Sequence, residues 1–61
     1  MNEYKIFVSR DAKPLQGKVR GITGSEVAPG GYIFKFKYLI DACEAMTVFR
    51  NSGYREVIAL W

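Results

Sequence analysis

Tyr32-Ile33-Phe34-Lys35-Phe36-Lys37-Tyr38, followed three residues later by Asp41-Ala42-Cys43-Glu44-Ala45-Met46, decides the fold. In the first stretch Tyr32, Phe34, Phe36 and Tyr38 fall on one face and Ile33, Lys35 and Lys37 on the other, the period-two pattern of a half-buried strand. In the second, Ala42, Ala45, Met46 and Phe49 recur at helical spacing and form one apolar stripe. Asp41 reads as the N-cap, with Glu44 completing a capping-box-like pair and Ile40 stapling onto Ala45. Arg50 suits the last turn, and Gly53 reads as the C′ stop.

Outward from this junction, Tyr4-Lys5-Ile6-Phe7-Val8-Ser9 alternates in the same way and reads as a first strand. Arg10-Asp11-Ala12-Lys13-Pro14 breaks it, because Pro14 ends regular pairing. Gly17 to Gly24 reads as a short second strand with Lys18 and Arg20 on one face, and Gly24 to Gly31 as a loop around Pro29-Gly30. Arg55-Glu56-Val57-Ile58-Ala59-Leu60-Trp61 reads as a closing strand beside either the first or the third. The expected architecture is α+β: an antiparallel sheet of three to four strands with one helix on one face, in the order β-β-β-α-β.

The chain has 61 residues, 49% of them hydrophobic and 25% charged, which suits one small folded domain. A core this small supplies about 3–5 kcal/mol net. With no histidine and only Cys43, an intrachain disulfide, a Cys/His zinc site and a Ser-His or Cys-His nucleophile are excluded. Cys43 in the first helical turn reads as a small half-buried side chain rather than a reactive thiol. Asp41 and Glu44 are the closest acidic pair, and capping accounts for both. Gly21-Ile22-Thr23-Gly24 matches the Gly-x-x-Gly loop of KH domains in spacing, but its flanks read as strand and loop rather than two helices. The expectation is therefore a non-enzymatic protein without cofactor or metal. The absence of an apolar leader, of a membrane-length run and of paired cysteines points to a cytoplasmic protein that does not enter a membrane.

Charge is distributed unevenly. Residues 1–37 carry seven basic and three acidic side chains, against two basic and three acidic in residues 38–61, for +3 overall. The positive charge thus belongs to the sheet, where Lys5, Lys18, Arg20, Lys35 and Lys37 are expected to share the face away from the helix, with Phe7 among them. Nine aromatic side chains exceed what a three-turn helix can cover. Phe34, Phe36, Phe49, Met46 and Ile6 are the expected core, which leaves Tyr4, Tyr32, Tyr54 and Trp61 as surplus of the kind enriched at interfaces.

In element order alone the chain resembles the arm-type DNA-binding domains of phage integrases, apart from the strand after Gly53. It also resembles small phage inhibitors of bacterial RNA polymerase. The first resemblance implies a sheet that contacts DNA, the second a protein that blocks a larger complex. The expectation is a small phage-type inhibitor that docks on a larger host protein complex, such as a nucleic-acid enzyme or defence complex, through Lys5, Lys18, Arg20, Tyr32, Lys35 and Lys37. The alternative is direct nucleic-acid binding through the same basic face. A third expectation is a homo-oligomer formed through the C-terminal strand, Val57 to Trp61.

Overall fold

The computed structural model describes residues 3–10, 15 and 17–61. The break expected over Asp11 to Pro14 lies outside them. The elements are β1 (Tyr4–Ser9), β2 (Ile22–Ala28), β3 (Gly31–Phe36), α1 (Leu39–Asn51) and β4 (Val57–Ala59). All pairings are antiparallel, in the spatial order β2-β3-β1-β4, so the closing strand lies beside the first. This is the α+β architecture that the alternation and the helical stripe predict.

The helix covers β1, β3 and β4 on one face of the sheet. Ile6, Val8 and Phe36 from the sheet meet Ala42, Ala45 and Phe49 from the helix, and these six are the buried apolar core. Phe34, Met46, Tyr4, Val19, Tyr54 and Val57 pack around it, half-buried. The rings of Phe34 and Phe49 stack 5.4 Å apart, and Tyr54 meets Phe49 edge-on at 5.8 Å.

Several boundaries differ from the sequence expectation: the third strand is Gly31–Phe36 rather than Tyr32 to Tyr38, and the closing strand is Val57–Ala59 rather than Arg55 to Trp61. The second strand is Ile22–Ala28 rather than Gly17 to Gly24. Pro29 and Gly30 form a two-residue turn, so pairing resumes at once between Ala28 and Gly31 and the expected loop is mostly strand. Residues 17–21 instead run along the helix. Val19 packs on the core, a Cβ at Gly17 would stand 3.3 Å from Val48, and one at Gly21 would overlap the Asp41 carboxylate. The helix begins earlier than expected, with Tyr38 as N-cap and no side-chain cap. The Ala42 N–H donates to the Tyr38 carbonyl at 3.2 Å, so Leu39 and Ile40 are already helical and Asp41 sits inside the first turn. Ile40 is 68% exposed and staples nothing. Cys43 is exposed rather than half-buried.

The helix ends as expected. Gly53 has φ 86°, its N–H bonds to the Arg50 carbonyl at 3.0 Å, and the Tyr54 N–H reaches the Phe49 carbonyl at 3.4 Å. This is a Schellman closure, completed by the Phe49–Tyr54 ring contact. Gly31 serves a different need, because a Cβ there would collide with the Val8 carbonyl oxygen and the Phe7 ring. Gly31→Ala is expected to cost about 1–3 kcal/mol by overpacking, and Gly53→Ala about 1–2 kcal/mol by left-handed backbone strain. Urea unfolding of the two variants against wild type checks both. A Gly31→Ala variant as stable as wild type would mean that β1 and β3 do not approach as described.

Candidate functional site

The face of the sheet away from the helix is built by strand alternation and register. Even-numbered residues of β1 face the helix and odd-numbered ones face outward. Across the outer face the register forms two rows. Glu26, Ile33, Phe7 and Ile58 make the first, and Gly24, Lys35, Lys5 and Leu60 the second. Leu60 joins its row because its N–H bonds to the Lys5 carbonyl at 2.9 Å, continuing the β1–β4 ladder beyond Ala59. Behind the first row, Ser9 ties β1 to β4: its N–H bonds to the Glu56 carbonyl and its Oγ accepts the Glu56 N–H, both at 3.0 Å.

The outer face is therefore apolar at its centre. Phe7 and Ile33 are half-buried, while Ile58 and Leu60 are 46% and 48% exposed. No element among the described residues lies over this face. Its charges stand to one side. Lys35 Nζ lies 2.9 Å from Glu26 Oε2. The Lys35 hydrogen bond, then its charge, and more weakly the charge of Lys5, hold the Glu26 carboxyl below its ordinary 4.5. The same hydrogen bond and charge hold Lys35 above its ordinary 10.5, with Glu3 adding to it. Lys5 stands directly opposite Lys35, and Glu26, on the other side of β3 from Lys5, pairs with Lys35 and so offsets the repulsion between the two like charges.

This corrects the expected basic face. Of Lys5, Lys18, Arg20, Tyr32, Lys35 and Lys37, only Lys5 and Lys35 share the outer rows, and the two acids beside them offset their charge. Lys18 and Arg20 are exposed, but they lie ahead of β2 in the segment packed along the helix, because their strand starts at Ile22. Lys37 stands past the last paired residue, its ammonium 5.5 Å from the Tyr38 ring centroid. Tyr32 is on the helix side, where the Arg10 guanidinium lies 5.1 Å over its ring. Of the surplus aromatics, Tyr54 is taken up by Phe49. Tyr4 meets Trp61 edge-on at 5.6 Å, with Trp61 half-exposed.

Sequence reasoning missed Ile33, Ile58 and Leu60. Their signal was present: Val57 to Trp61 is apolar at every position, hence on both faces, which an edge strand with one solvated face does not need. Gly21-Ile22-Thr23-Gly24 lies at the start of β2 with a bulge between Ile22 and Gly24, away from any helix–helix loop. The chain matches no family model, no curated protein and no solved structure. No helix among the described residues is long and apolar enough to cross a membrane.

The ion pair has a testable pH signature. Because Glu26 is held low in the fold, its contribution is present above its ordinary value and is lost as pH falls through the lowered one. The Lys35 contribution is lost only as pH rises through its raised value. Glu26→Gln is expected to lower the urea midpoint at pH 7, with the gap to wild type closing as pH falls below the ordinary carboxylate range. A gap independent of pH would mean that the pair is not formed.

Proposed function

We propose that this chain is a small, non-enzymatic binding protein that docks the outer face of its sheet onto a larger protein and inhibits it by occlusion. The observation that carries this reading is the in-register apolar row Ile33–Phe7–Ile58, with Leu60 beside it, on the face that the helix leaves uncovered. A sheet with an apolar face is normally buried against another layer, and here a partner supplies that layer. Lys5 and the Lys35–Glu26 pair form a polar rim on the row's flank, the arrangement in which charge sets orientation and the apolar centre supplies affinity.

Ile33→Lys tests the reading, with Val27→Lys as the control: Val27 is 74% exposed and its register puts it on the helix side of β2. Wild type and Val27→Lys are expected to capture the same protein from a lysate of the source cells, and Ile33→Lys to lose it while keeping its circular dichroism spectrum. Capture unchanged by Ile33→Lys would reject this face. A titration with labelled DNA and RNA at about 50 and 200 mM salt separates the nucleic-acid alternative, in which affinity falls steeply over that range. Tight, salt-steep binding there would replace the protein-docking reading.

A further inference from the structure

β4 is an edge strand whose hydrogen-bonding phase is fixed by two bonds. The Ser9 N–H reaches the Glu56 carbonyl, and the Leu60 N–H reaches the Lys5 carbonyl. With the register Phe7↔Ile58 between them, Glu56, Ile58 and Leu60 direct their backbone groups toward β1. Val57, Ala59 and Trp61 therefore direct theirs outward, away from the sheet. An open edge of this kind is usually blunted by shortness, a charged side chain, a proline or a bulge. The other edge, β2, carries Glu26, Gly24 and a bulge at Ile22/Gly24. β4 is short, Val57–Ala59 with Leu60 extending its ladder, but Val57-Ile58-Ala59-Leu60-Trp61 carries no charged side chain, no proline and no bulge.

We infer that β4 pairs with β4 of a second copy of this chain, antiparallel about a two-fold axis at Ala59, to make one continuous eight-stranded sheet. The register follows from the phase. Centring on Ala59 engages all three outward-facing residues: Ala59 with Ala59 of the second copy, and Val57 with its Trp61 in both directions. The side chains agree on both faces. On the helix side the half-exposed Trp61 lies over Val57 of the other copy. On the outer face Ile58 meets Leu60 of the other copy at a close, non-hydrogen-bonded pair, burying two half-exposed residues apiece. No side chain of the strip is charged, so none brings a repelling group to the axis despite the net +3. A short strip falls below the ~800 Å² per partner of a standard stable interface. The dimer is accordingly weak and concentration-dependent. The inference concerns an edge rather than the docking face; the two share Ile58 and Leu60, while Ile33, two strands away from the edge, belongs to the face alone.

Sedimentation velocity of the purified chain from about 1 μM to about 1 mM, a range that brackets weak association, tests this together with amide hydrogen exchange. The average mass is expected to rise from 6.9 kDa toward twice that value. Ala59→Pro removes an outward donor without touching the β1 ladder, and Leu60→Lys places like charges beside the axis. Both variants are expected to keep the wild-type circular dichroism and stay at one-chain mass. In wild type the Val57, Ala59 and Trp61 amides gain protection with concentration, while those of Ile58 and Leu60 are protected throughout. This alternation needs no variant, and only strand pairing at the outward edge of β4 produces it. A one-chain mass over the whole range overturns the inference. So does a dimer in which those three amides stay unprotected. The Ile33→Lys variant is expected to dimerise normally, so loss of docking and loss of dimerisation are read separately.

Discussion

Ala42 and Ala45 present only methyl groups to the sheet, so the helix backbone settles close over Ile6, Val8 and Phe36 and excludes water from all of them. Phe49, one turn further on, fills the remaining space. It stacks on Phe34 from β3 and takes Tyr54 against its edge, so one ring fixes the end of the helix and its distance from the sheet together. Large side chains at positions 42 and 45 would lift the helix and open this core, and in a domain of this size little else could compensate. The close seat has a geometric cost. A thirteen-residue helix lies over β1, β3 and β4, and among the described residues no second layer covers β2 or the outer face.

The elements that build this core were the legible ones. β1 and β3 bury one face each, so every second residue is constrained to be apolar and the alternation is clean. The helical stripe was legible for the same reason. β2 was not, because an edge strand outside the helix has no buried face to enforce a pattern, and Thr23-Gly24-Ser25-Glu26 reads as a loop by composition. The helix start failed for a different reason. Asp41 and Glu44 have the local chemistry of a cap, but the backbone turns one residue before Leu39, and no side chain caps it. Asp41 instead occupies the space that Gly21 leaves open. That contact joins residues twenty positions apart, which local patterning cannot reveal.

For the candidate site, alternation assigned Lys5, Phe7, Ile33 and Lys35 to one face correctly, but alternation does not identify neighbours. The Pro29–Gly30 turn sets the β2–β3 register, and only that register places Glu26 within reach of Lys35. A basic cluster read from composition thus becomes a locally neutral rim. Strand order had the same effect in the opposite direction. Once β4 lies beside β1, Ile58 and Leu60 join Phe7 and Ile33, and a face expected to be basic is apolar at its centre.

The uncovered face and the open edge share one origin, a single helix committed to one side of a four-stranded sheet, yet they make different physical demands. An edge is satisfied within the plane of the sheet, by hydrogen bonds from another strand. A face is satisfied only by a layer laid over it. Pairing at β4 would extend the outer rows across the axis, joining Ile33–Phe7–Ile58 of one copy to Leu60 of the next; it would bury the flanks of Ile58 and Leu60 but lay no layer over the face. Self-association at the edge would therefore double the apolar face rather than consume it. Ile58 belongs to both surfaces, because its backbone is bonded to β1 while its side chain meets the axis and stands in the row. A chain of this size can meet both demands because they act at right angles to each other.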